Sequence, residues 1–110
     1  MMFGRKRPKA GEIDVSNYDF LSKSLEFARL WADPEAGMTA IIEPRHLGAD
    51  PFLFGMALVD AARHGAKAYA HAVNISEEDA MARIWEGLDA ERSNPTDDPL
   101  AIDLGGSAPS

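Results

Sequence analysis

The chain has no cysteine. A disulfide framework and a thiolate metal site are therefore excluded, and a reducing compartment is the expected setting. No apolar run approaches the ~18 residues of a membrane span. The basic residues near the N-terminus are not followed by an apolar stretch, so no secretory signal is expected there. A cytoplasmic, bacterial-type protein is the expectation. Basic residues are scarce, 11 Lys and Arg against 18 Asp and Glu, for a net charge of −7. They are also unevenly placed. Arg5, Lys6, Arg7 and Lys9 sit among the first nine residues, which leaves 7 basic against 18 acidic groups in the remainder. Neutralising nucleic-acid phosphates needs clustered Lys and Arg, so no nucleic acid is expected on the folded part. The basic segment FGRKRPK reads as a solubilising tail or as a weak contact for an anionic surface, with ~1 kcal/mol per charge at a membrane.

The fingerprints of common chemistry are missing too. No phosphate loop, dinucleotide motif, nucleophile elbow or HExxH pair occurs. No catalytic residue, cofactor or resident metal is expected.

What is present is a chain of 110 residues with 45% hydrophobic content, enough for one domain. Its best-punctuated stretch is Asp50–Val73. Asp50 can accept hydrogen bonds from the free N–H groups of a first helical turn, and Pro51 arrives with helical φ. Phe54, Leu58, Ala61, Ala62, Gly65, Ala66, Tyr69, Ala72 and Val73 then gather on one side at 100° per residue. Asp60, Arg63, His64, Lys67 and His71 gather on the other. Within the apolar side, Ala57, Ala61, Gly65, Ala68 and Ala72 predict a small-residue ridge on which another backbone can approach closely.

The rest of the chain orders itself around that helix. Residues 1–15 contain Gly4, Pro8 and Gly11 with no period and predict a disordered basic tail. Ser16–Ser24 predicts a short helix capped by Ser16 or Asn17. Leu25–Ala32 and Met38–Ile42 predict two strands, the second β-branched, apolar and closed by Pro44. Asp33-Pro34-Glu35-Ala36-Gly37 is the turn between them. Pro44–Ala49 is a loop. Ser76, followed by Glu77, Glu78 and Asp79, opens a second helix that stops before Pro95. Trp85 and Tyr69 are expected on buried faces. Residues 96–110 predict a disordered acidic tail. The whole is an α+β domain over residues 16–95: short N-terminal helix, two-stranded antiparallel hairpin, long central helix and C-terminal helix. A two-stranded sheet is marginal in water, so dimerisation is expected to complete it.

Candidate site residues fall on the polar side of the central helix. Asp60 and His64 are four apart, acid first, which supports a carboxylate–imidazole contact. Histidines seven apart, as His64 and His71 are, lie ~10.5 Å apart along the axis and cannot share one zinc. Arg45, Asp60, Arg63 and His64 are the groups that could hold an anion or small molecule if one concavity gathered them. If they disperse over a convex helix face, the better reading is a non-catalytic interaction or regulatory module, acting as a homodimer or with another protein.

Leu25–Trp31 (LEFARLW), Pro44, Asp50-Pro51, Gly55, Leu58, Asp60–His64 (DAARH), Ala68–Ala70 (AYA) and Gly87–Asp97 (GLDAERSNPTD) together form a pattern. On it the chain resembles a small family of proteobacterial proteins defined as a domain of unknown function, over about residues 19–98. The resemblance implies a small α+β domain and no activity.

Overall fold

The computed structural model of the chain describes residues 9–96. The outer parts of the expected tails, residues 1–8 and 97–110, lie outside the described residues. Residues 9–15 begin with a turn in which the Glu12 N–H donates to the Lys9 carbonyl at 2.9 Å.

The order is a 3₁₀ turn at Asp19–Lys23, strand β1 at Ala28–Asp33, strand β2 at Gly37–Ile42, a 3₁₀ turn at Pro44–His46, helix α1 at Phe52–Val73 and helix α2 at Glu77–Ser93. This is the expected α+β arrangement of a two-stranded antiparallel hairpin followed by two helices. The first element is shorter than expected. It holds five residues, and Tyr18 stands at its N-cap without a side-chain cap, so neither Ser16 nor Asn17 caps it. Ser16 instead donates its N–H to the Asp14 carboxylate at 2.9 Å.

The hairpin turn forms for a visible reason. The Asp33 carboxylate accepts the N–H groups of Glu35 and Ala36 at 2.9 and 3.2 Å. Gly37 closes the loop at φ +91°, where a side chain would be strained. The register pairs Ala28 with Ile42, Leu30 with Ala40 and Ala32 with Met38. Because residues alternate between faces, Ala28, Leu30, Ala32, Met38, Ala40 and Ile42 share one face, and every one is apolar.

Asp50 does start α1: its side chain accepts the Phe52 N–H at 3.0 Å, and its carbonyl accepts that of Leu53 at 2.9 Å. Asn74 ends the helix in the left-handed conformation at φ 57°. The chain then reverses within two residues, and Ser76 caps α2 by accepting the Asp79 N–H at 2.9 Å. The antiparallel pair is fastened across its turn by Lys67 Nζ and Glu77 Oε1 at 3.1 Å.

The helix contact is rotated from its expected position. Ala66 on α1 and Ala80 on α2 are 1% and 2% exposed. Ala62, Gly65 and Ala70 are partly covered beside Ala66, whereas Ala61, Ala68 and Ala72 face outward. The small-residue ridge is thus Ala62, Gly65, Ala66 and Ala70. Tyr69 and Trp85 are corrections as well: they are 56% and 38% exposed within the chain. Their residue type signals burial, but one helix pair has too little partner surface to bury two large rings.

A Cβ at Gly65 would lie 3.8 Å from Ile84 Cδ1, an ordinary van der Waals separation. Gly65→Ala should therefore stabilise the helix pair by up to ~1 kcal/mol through helix propensity. A urea midpoint that falls instead would mean the helices sit closer than this.

β1 packs with β2 and α1 packs with α2. The Phe27 and Phe54 rings link the two halves edge to face, with centroids 6.4 Å apart. Among the described residues, only Ala66 and Ala80 are fully buried.

Candidate functional site

The polar side of α1 is held as helix geometry dictates. His64 Nε2 stands 3.6 Å from Asp60 Oδ2, both side chains well exposed. An exposed pair of this kind is worth ~0.2–0.5 kcal/mol. Asp60 and Arg63 also line a shallow depression with Met56, Ala57 and Val59. All five belong to one helix, so the depression is relief on a convex surface. Arg45 is not among them. It lies in the 3₁₀ turn after β2, where Glu43 engages it.

That ion pair is the most strongly organised charge on the described surface. Arg45 donates from Nε and Nη2 to the two Glu43 carboxylate oxygens at 2.7 and 2.6 Å, and its backbone N–H donates at 3.0 Å. Nothing in the sequence singled out Glu43. Charges two apart do not meet on an α-helix, but the 3₁₀ turn that Pro44 opens folds Arg45 back over Glu43. The Arg45 side-chain bonds, then its backbone N–H, hold the Glu43 carboxyl at about 2, far below its ordinary 4.5. A depressed folded-state pKa contributes stability above the unfolded value and loses it as pH falls through the folded one. Glu43→Gln should therefore lower the melting temperature at pH 7. The gap to the parent should narrow from about pH 4.5 and close near pH 2. An equal gap at all pH values would mean that Glu43 acts through packing rather than charge.

Two further contacts organise this end. The His46 Nδ1–H donates to the Glu26 carbonyl, tying the turn after β2 to the residues before β1. Arg29 pairs with Glu26 at 2.8 Å, and its side-chain bonds lower the Glu26 pKa. Among the described residues, no three His, Asp or Glu side chains are grouped to hold a metal. No described helix is long and apolar enough to cross a membrane. A second groove lies beside β1, lined by residues 11–16, Tyr18, Asp19, Ser22, Glu26 and residues 28–31. Trp31 on its wall gave no periodic signal as a site residue.

Three comparisons bear on these elements. The model of the family "Domain of unknown function (DUF5076)" matches residues 19–96. No curated protein matches the chain. A solved structure from the photosynthetic bacterium Rhodopseudomonas palustrus, carrying the provisional name pyruvate dehydrogenase, is 30% identical. It superposes with a TM-score of 0.59 over 94% of this chain and 99% of its own.

Proposed function

The chain belongs to the DUF5076 family of unknown function, and from that premise we propose that it is a small non-catalytic interaction module that works as a homodimer. One observation carries this: only two alanines are fully buried among the described residues, while twenty large apolar side chains stay exposed. Six of the twenty are aromatic rings, and at about 150–250 Å² each with roughly half uncovered the rings alone expose on the order of 600 Å², to which the fourteen aliphatic side chains add. A standard interface takes ~800 Å² from each partner. An isolated hairpin beside an isolated helix pair lacks the hydrophobic burial that offsets chain entropy. A partner must be present whenever the chain folds, and a second copy always is.

The dehydrogenase name of the Rhodopseudomonas chain stays with that protein. Such chemistry draws on a bound cofactor, and this sequence has no glycine-rich phosphate loop after a strand. An anion-binding role for Arg45, Asp60, Arg63 and His64 has less support. Glu43 already neutralises Arg45, and the other three lie along one exposed helix face.

Light scattering at micromolar concentration should give twice the 11.9 kDa chain mass. Dilution should lower helicity and hydrophobic burial together, because folding is linked to association. A stable, helical species of one chain mass across that range would refute the homodimer.

A further inference from the structure

The β2 edge carries hydrogen-bonding groups that the hairpin does not use. Glu43 donates its N–H to the Phe27 carbonyl at 2.8 Å. With the observed register, the hydrogen-bonded pairs are then Phe27·Glu43, Arg29·Ile41, Trp31·Thr39 and Asp33·Gly37. The alternate residues of β2, Met38, Ala40 and Ile42, therefore turn their N–H and C=O groups away from β1.

This edge is unguarded. Natural edge strands carry charge, proline or a bulge that blocks pairing. Residues 38–42 carry none of these. β1 differs: it contains Arg29 and Asp33, and residues 11–16 run beside it. Among the described residues no third strand pairs with the β2 edge, and beside it lies the all-apolar sheet face, where Leu30 is 62% and Met38 70% exposed. The edge groups lie in the plane of the sheet, so a strand added there pairs them and at the same time extends the apolar face.

We infer that two copies join through their β2 edges, antiparallel, about a two-fold axis at Ala40. This rests on the homodimer reading and names its surface. The sequence is self-complementary in that register. Met38 lies opposite Ile42 of the partner subunit, Ala40 opposite the partner's Ala40, and Ile42 opposite the partner's Met38. The three outward-facing residues of each strand meet, giving about six main-chain hydrogen bonds, two per pair. Moving the axis by one residue, which slides the partner strand by two, leaves two such pairs instead of three. Opposed residues share a face, so the two apolar faces fuse into one across a four-stranded sheet. Four strands with an apolar face exceed what independent sheet stability requires.

The absence of native cysteine makes the test clean. Residues opposed in a hydrogen-bonded pair have Cα atoms ~5.5 Å apart, inside disulfide range. Two Thr39 residues in this register would sit roughly 8 Å apart and on the other face, beyond it. Wild type is sized by light scattering, and full-length Ala40→Cys and Thr39→Cys are mildly oxidised and run on non-reducing denaturing gels. The expected result is a dimeric wild type, a shift of Ala40→Cys from one chain mass to two, and no shift of Thr39→Cys. A dimeric wild type with Ala40→Cys unlinked, or with both variants linked equally, overturns the β2-edge pairing and leaves the homodimer standing. A monomeric wild type overturns both.

Discussion

Replacing Ala66 with leucine should cost about 1–3 kcal/mol of stability, the range for overpacking a close contact. Ala66 is 1% exposed and stands next to Gly65, whose face meets Ile84. Three added carbons have nowhere to go unless the helices separate. For a domain of this size each kcal/mol is ~4–8 °C in melting temperature, so the loss is measurable in a thermal scan at fixed protein concentration. Ala61→Leu is the control. It sits on the small-residue ridge that simple helical periodicity predicts, yet it faces outward. Its leucine variant should melt within about 0.5 kcal/mol of the parent, as most surface changes do. If Ala61→Leu is the damaging one, the contact face of α1 is the one periodicity predicts, not the one described above.

Gly48→Ala should cost a similar amount, about 1–3 kcal/mol, by another route. Gly48 has φ +130°, a conformation that L-residues rarely adopt. An added Cβ would also stand 2.8 Å from Leu53 Cδ1, so the first turn of α1 would have to shift that side chain. The residue connects the Glu43–Arg45 turn to Asp50, so strain there spreads into the start of the helix. Urea unfolding of parent and variant checks this. An unchanged midpoint would mean that the loop relaxes into another conformation without loss.

The candidate site was legible only where its residues lie on one regular element. Asp60 and His64 could be paired from their spacing because an α-helix fixes that separation. The Glu43–Arg45 pair and the Lys67–Glu77 bridge were not legible. One depends on a 3₁₀ turn and the other on the angle at which α2 leaves Asn74. Neither is encoded in side-chain periodicity. The groove beside Trp31 needs residues 11–16 to lie along β1, a placement that a segment without period cannot announce.

The sequence by itself determined the element types, their order and most of their ends. Asp33 and Gly37 set the hairpin turn, Asp50 starts α1, Asn74 breaks it and Ser76 restarts the helix. Each of these is a local contact between neighbours in the chain, so local residue types suffice. Tertiary structure alone decided which side of α1 meets α2, and that Tyr69 and Trp85 remain exposed in one chain. An apolar stripe broader than its partner can cover leaves several rotations equal in hydrophobic pattern. Close packing chooses among them, bringing Ala62, Gly65, Ala66 and Ala70 inward because only small residues let two helix backbones approach.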